Sequence, residues 1–222
     1  MAEAKKKIID IIMHLSGKHA PYNIFSDWIE MCSISIQNTV TMVHGKVWKD
    51  REQRYIDVAR QYTEEELERF AEMFVLLGDA LTEELTDVLG EIYMETGMGN
   101  KYTGQFFTPF HLSELCARLD IDPERLAAED RISLHEPACG GGGMVIAACK
   151  ALHDAGFDYQ RNLDVVAQDL DWKGCYMTYL QLSLIGCRAL VVQGDTLTEP
   201  FDRRKTDPAR ILITPAKAGA LL

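Results

Sequence analysis

Four consecutive glycines, Gly140 to Gly143, follow the acid Glu136 and lead into the apolar run Val145-Ile146-Ala147-Ala148-Cys149. Glycine has no Cβ, so its backbone reaches positive φ and lets a ligand lie directly against it; a helix that starts there adds unpaired N–H groups. The lead-in Ile132-Ser133-Leu134 reads as a short buried strand. Strand, glycine turn and helix start together are the pieces of a nucleotide-binding loop. Glu136 then falls at the strand end, where doubly wound folds receive a ligand. The stretch departs from the dinucleotide pattern Gly-x-Gly-x-x-Gly, because an acid and Pro137 precede the glycines.

Further candidates flank this loop. Upstream, Thr108-Pro109 sets a hydroxyl and a rigid turn just before a helix predicted over about 111–119, a place suited to holding a polar ligand tail or simply to starting the helix. Downstream, residues 162–169 read as a second strand ending at Asp169. A carboxylate there can accept hydrogen bonds from both hydroxyls of a ribose. Asp171 is the fallback for that role, and either acid could instead cap the helix predicted over 172–185. A third strand, Arg188 to Val192, leads to Asp195, an acceptor or an ordinary turn residue.

The elements that position these residues follow from periodicity. Residues 8–43 read as helices with an apolar stripe at Ile8, Ile9, Ile11, Ile12 and Leu15, a stop at Gly17 and a cap for the second helix at Ser26. Thr63-Glu64-Glu65-Glu66 is a capping box opening a helix whose inner face is Leu67, Phe70, Phe74, Leu77 and Leu81. A further helical run ends near Tyr93, and the glycine-rich stretch 97–100 reads as a domain boundary. A fourth strand is expected at 210–213.

Glu136-Pro137-Ala138-Cys139-Gly140-Gly141-Gly142 resembles motif I of the adenine- and cytosine-N-specific DNA methyltransferases, and Gly104-Gln105-Phe106-Phe107-Thr108-Pro109 resembles motif X of the N6-adenine enzymes in the form found in modification subunits of type I restriction systems. Asp87-Val88-Leu89-Gly90-Glu91-Ile92-Tyr93 is similar to the helix that precedes motif X in those subunits. The resemblance covers about residues 85–200. It implies a site for S-adenosylmethionine made by Thr108, Pro109, Glu136, Ala138, Gly140, Gly142, Asp169 and Asp195, with Asp169 on the ribose and Asp195 facing the adenine amino group. The catalytic motif of that family, [Asn/Asp/Ser]-Pro-Pro-[Tyr/Phe/Trp], is replaced here by Thr214-Pro215-Ala216-Lys217. Thr214 and Pro215 would then occupy the catalytic position, where a flipped adenine needs side-chain and backbone acceptors and an aromatic face.

The fold expected is α/β: a helical N-terminal domain over 1–98, then a partial Rossmann-like S-adenosylmethionine-dependent methyltransferase domain over 99–222 with parallel strands. The expected function is methyl transfer to adenine N6 in DNA, in partnership with a separate specificity subunit. The alternatives are a cofactor-binding regulatory module without catalysis, or a methyltransferase acting on RNA or protein. A net charge of −11 excludes a protein built around a basic duplex-binding face. Residues 1–100 carry 10 basic and 18 acidic side chains and residues 101–222 carry 13 and 16, so the acidity is mostly N-terminal. The six cysteines show no metal-ligand spacing and read as reduced, buried thiols, and no metal is expected. No apolar run is long enough for a membrane span and the N-terminus lacks a signal-peptide pattern, which favours the cytoplasm. The sequence stops at Leu222, before the three strands that complete such a sheet. A bare edge at the fourth strand is expected to favour self-association or a protein partner.

Overall fold

The computed structural model describes residues 1–98, 106–121 and 130–219. The boundary glycine stretch beyond Met98 and the first part of the motif X-like segment, Gly104-Gln105, lie outside them.

The N-terminal part is helical: α1 (Ala2–Leu15), α2 (Pro21–Val40), α3 (Lys46–Ala59), α4 (Glu64–Glu83) and α5 (Val88–Glu95). In α1, Ile8 and Ile12 lie one turn apart and are fully buried. α4 buries Phe70, Met73, Leu77, Ala80 and Leu81, a helical repeat, against α1. Trp28 of α2 is fully buried, and its indole N–H donates to the Phe70 carbonyl at 3.0 Å, so its one polar atom is satisfied. Ser26 does not cap α2. The helix begins at Pro21, whose preset φ and missing N–H suit the first turn, and Ser26 sits inside it with a buried hydroxyl that has no partner among the described residues.

Thr63 caps α4 as expected: its Oγ1 accepts from Glu66 N at 3.3 Å, and Glu66 Oε2 accepts from Thr63 N at 2.7 Å. Thr63→Ala removes one arm of this box and is expected to lower stability by about 1 kcal/mol. Urea unfolding of the variant beside the wild type measures it; an unchanged midpoint would show that water replaces the cap.

The second part holds α6 (Phe110–Asp120), β1 (Ile132–Glu136), α7 (Gly143–Asp154), the short α8 (Tyr159–Asn162), β2 (Leu163–Asp169), α9 (Trp172–Leu184), β3 (Arg188–Gln193), β4 (Ile211–Ile213) and α10 (Pro215–Gly219). The sheet order is β1-β2-β3-β4. β1, β2 and β3 are parallel, with Glu136 beside Ala167 and Asp169 beside Gln193. α9 packs on β2 and β3 and, on its other side, on α2. That double cover explains why it buries polar Lys173, Thr178 and Gln181 along with its apolar residues. One hydrophobic core runs from Ile8 through Trp28, Leu89 and Cys175 to Leu212, so helices and sheet share their packing.

The strands are not all parallel. β4 pairs antiparallel with β3, with Val191 beside Leu212. Residues 194–207 between them form no helix, so nothing carries the chain back along the sheet face; it turns and adds the next strand in reverse. The outer edge of β4 is also not bare. Ile213 N donates to Gln37 Oε1, at 2.6 Å, and the Ile211 carbonyl accepts from Arg51 at 2.9 Å. Side chains of the helical part take the groups that a partner strand would need. Of the cysteines, Cys139, Cys149, Cys175 and Cys187 are buried and Cys32 partly so, but Cys116 is exposed. No helix among the described residues is long and apolar enough to cross a membrane.

Candidate functional site

Four pieces of chain meet at the ends of the parallel strands. The loop between β1 and α7 brings the glycines, β2 ends in Asp169, the segment before α6 brings Phe106, Phe107 and Thr108, and the start of α5 brings Asp87. Between them lies a cleft of about 260 Å³, lined by Asp87, Phe106, Phe107, Thr108, Ser113, Ala138, Cys139, Gly140, Gly141, Gly143, Met144 and Asp169. No Lys, Arg or His stands among these described lining residues, while two carboxylates do.

Asp169 is held rigidly. Its Oδ2 accepts from Gly140 N at 2.8 Å and its Oδ1 from Asp171 N at 2.9 Å. Asp171 is the N-cap of α9, its Oδ1 accepting from Lys173 N at 3.1 Å. The two acids that the sequence left interchangeable thus have different tasks: Asp171 starts the helix and Asp169 ties strand to glycine loop.

Each glycine of the run is required for its own reason. Gly140 and Gly142 have φ of +50° and +95°. A Cβ on Gly140 would also stand 3.0 Å from the Phe107 ring, and one on Gly142 would stand 3.2 Å from the Thr178 backbone. Gly141 and Gly143 have ordinary φ, yet their Cβ atoms would lie 3.3 and 3.0 Å from Asp87 Oδ2. A Cβ on Gly141 would also meet Met177 Cε at 3.2 Å, so half of the run is crowded by side chains from other segments.

Asp87 had no assigned task in the sequence reading. It caps α5, Oδ1 accepting from Gly90 N at 2.9 Å, and the same oxygen accepts from Gln181 Nε2 at 2.8 Å. Burial pushes its carboxyl above the usual carboxylate range, opposed by those two hydrogen bonds. Gln181, also missed, is fully buried; its Nε2 donates to the Gly141 carbonyl at 2.8 Å and its Oε1 accepts from Leu89 N at 3.1 Å. It joins α5, α9 and the glycine loop. The signal for Asp87 was an acid three residues before Gly90 at a helix start; Gln181, inside an apolar helix, offered none. Cys139 lines the cleft, but burial pushes its thiol up to about 12, which makes it inert.

Of the residues proposed from sequence, Thr108, Ala138, Gly140 and Asp169 line the cleft together. Pro109 is the N-cap residue of α6, and Gly142 that of α7. Glu136 turns back on its own loop, Oε1 accepting from Ala138 N at 3.0 Å, and faces the neighbouring groove beside β1. Asp195 does not line the cleft: its Oδ1 accepts from Leu197 N at 2.9 Å, the turn arrangement. The backbone Leu197 N–H holds its carboxyl below the usual range. The loop after it is nonetheless tied to the site, Thr196 Oγ1 donating to the Pro137 carbonyl at 2.6 Å.

Thr214 and Pro215 are not at the site. Because β4 is antiparallel, it runs away from Asp169, and Thr214 lies beside Cys187 and Ala189, where β3 begins. Its buried hydroxyl donates to the Cys187 carbonyl at 2.7 Å and accepts from Ala189 N at 2.9 Å, while Lys217 pairs with Asp164 at 2.6 Å at the start of β2. A strand reversal, not a side-chain choice, removes the expected catalytic pair from the cleft.

A glycine loop at the first strand, an acid at the second and an acidic cleft between them define an α/β protein of the Rossmann-like kind. The N-6 DNA methylase family matches residues 84–214, more than half of the chain, and the protein belongs to that family. A comparison with curated proteins finds no match.

Proposed function

We propose that the cleft binds S-adenosylmethionine and that the chain is the cofactor-binding part of a DNA adenine-N6 methyltransferase similar to type I modification subunits. The observation that carries this reading is the charge of the cleft. Asp87 and Asp169 face it with no cation among the described lining residues, which repels phosphate-bearing nucleotides and favours a nucleoside that carries positive charge. The residues fit such a ligand: Gly140 leaves room for it at the backbone, Asp169 has remaining lone pairs for ribose hydroxyls, and Thr108 offers a hydroxyl at the other wall. When bound, S-adenosylmethionine supplies a methyl group activated on a sulfonium. Pro109 and Gly142 begin the two helices that flank the cleft, Glu136 faces the neighbouring groove, and Asp195 sits on the loop tied to Pro137. DNA contact falls to a separate specificity subunit, in keeping with the net charge of −11.

A second reading, a cofactor-binding module without its own transfer step, is favoured by the placement of Thr214 and Pro215 away from the cleft.

Calorimetric titration of S-adenosylmethionine tests the first reading. Micromolar binding is expected, weakened by roughly a hundredfold in Asp169→Ala, since two charge-assisted hydrogen bonds are lost and Gly140 N loses its anchor. Tighter binding of ATP than of S-adenosylmethionine would sink it. Methyl transfer to adenine in DNA, measured alone and with a specificity subunit, then separates the enzyme from the module.

A further inference from the structure

α6 carries apolar residues on two opposite faces. Its inner face, with Phe110, Ala117 and the following Ile121, packs on Ala147, Ala148 and Ala151 of α7. Leu112, Leu115, Cys116 and Leu119 are all exposed, the three leucines by 44, 55 and 77%. The spacing i, i+3, i+4, i+7 sets these four on one stripe, and at about 3.6 residues per turn that stripe is centred opposite the inner face. A surface helix that covers a core normally presents polar residues there. Four apolar side chains on one outward stripe form a patch, not scattered exposure, and a patch of this kind marks an interaction surface.

Charge and spacing both point to a second copy as the occupant. The stripe holds no charged residue, and Glu114 and Arg118 of the same helix turn to α7, pairing with Lys150 at 2.8 Å and Asp154 at 3.6 Å. On a chain of net charge −11, two copies repel each other least where they meet through an uncharged face. The stripe is also its own complement. When a second α6 is turned end for end about the midpoint between Leu115 and Cys116, Leu112 comes level with Leu119 of the second copy, and Leu115 with its Cys116. A two-fold interface requires such matching, because every contact in it occurs twice. With the helix axes about 8–10 Å apart, the leucines of each copy fill the gaps between those of the other.

We propose that α6 is a self-association surface, through which two copies of the chain pair about a two-fold axis with their α6 helices antiparallel. Self-association was expected at the fourth strand, but Gln37 and Arg51 cap that edge, and α6 offers an uncovered apolar surface instead. One short helix from each copy makes a small interface, so the dimer is a weak one, with a dissociation constant on the order of tens to hundreds of micromolar. The inference does not depend on which ligand the cleft takes.

Sedimentation equilibrium of the full chain, under reducing conditions and from about 5 to about 500 µM, brackets such an affinity. A monomer–dimer equilibrium is expected, weakened at least about tenfold by Leu115→Glu, which brings two carboxylates together near the axis. Should Leu115→Glu fail to fold, Leu119→Lys, at the most exposed of the three leucines, carries the same comparison. Cys116 gives a second readout. Its thiols from the two copies fall close to the axis, so a short bismaleimide should join the wild type into a covalent dimer. That product should be absent from Cys116→Ser and much reduced in Leu119→Lys. A monomer throughout the concentration range would overturn the proposal and leave the stripe to a different protein. A dimer that the leucine variants leave intact, or one that the bismaleimide does not join through Cys116, would overturn it as well.

Discussion

Gly90→Ala is expected to destabilise the protein by about 3 kcal/mol or more, although alanine at an ordinary helical position gains roughly 0.5–1 kcal/mol over glycine. The sign reverses because a Cβ on Gly90 would lie 2.0 Å from Asp87 Oδ2 and 2.5 Å from its carboxyl carbon. The carboxylate must then move, away from the place where it caps α5 and meets Gln181. Moving it breaks the cap to Gly90 N and the buried bond to Gln181, worth about 1 kcal/mol and about 1.5–3 kcal/mol. Urea unfolding should show a lower midpoint with an unchanged slope, the mark of a loss in stability without a change in the surface exposed. Stability equal to or above that of the wild type would mean that Asp87 relaxes freely, and the close packing of carboxylate and glycines described here would then be wrong. A parallel titration should find ligand binding lost, because the displaced side chain enters the glycine loop.

Gln181→Leu is expected to cost about 3–5 kcal/mol, more than most core substitutions of similar size. Leucine fills the space but leaves three buried groups unpaired: the Leu89 N–H, the Gly141 carbonyl and part of the demand of Asp87 Oδ1. Each unpaired buried polar group costs roughly 1–3 kcal/mol, and a charged one more. The loss should depend on pH. Burial raises the Asp87 carboxyl above its unfolded value, so the folded protein holds that proton to higher pH than the unfolded chain. The contribution of this group to stability is complete at acid pH and declines as pH rises through the folded value. Without Gln181 the charged form is disfavoured further, and the deficit of Gln181→Leu should shrink on acidification. Thermal unfolding across a pH series measures it; a pH-independent deficit would show that Asp87 does not titrate in the variant's folded state. Gly90→Ala and Gln181→Leu act on the same carboxylate, so the double variant should lose less than the sum of the two.

Much of this protein was legible in its sequence, wherever the signal was local. The capping box at Thr63, the strand ending at Asp169 and the helix from Trp172 each rest on neighbours within a few residues, and the structure has them there. The glycine loop and its acid were visible because backbone demands of this kind leave few residue types to choose from. The start of α2 was misplaced from Pro21 to Ser26 because two competing local signals lay five residues apart, and the one that fixes φ prevailed.

What the residues alone determined was which pieces could make a nucleotide site: glycines able to take positive φ, a carboxylate at a strand end, a hydroxyl before a helix. Tertiary structure decided which of them meet. Asp87 reaches the glycine loop from more than 50 residues away, and Gln181 from 40, by packing that no local pattern encodes. Strand direction was decided the same way. The parallel arrangement of β1, β2 and β3 needs helices to carry the chain back, and α7 and α9 do so; the stretch before β4 has only a single 3-10 turn, Pro208–Arg210, so β4 reverses and takes Thr214 to the opposite end of the sheet from Asp169. A strand's sequence states that it will pair, but its partner and direction depend on the connection and on the edge left open, and both are properties of the assembled chain.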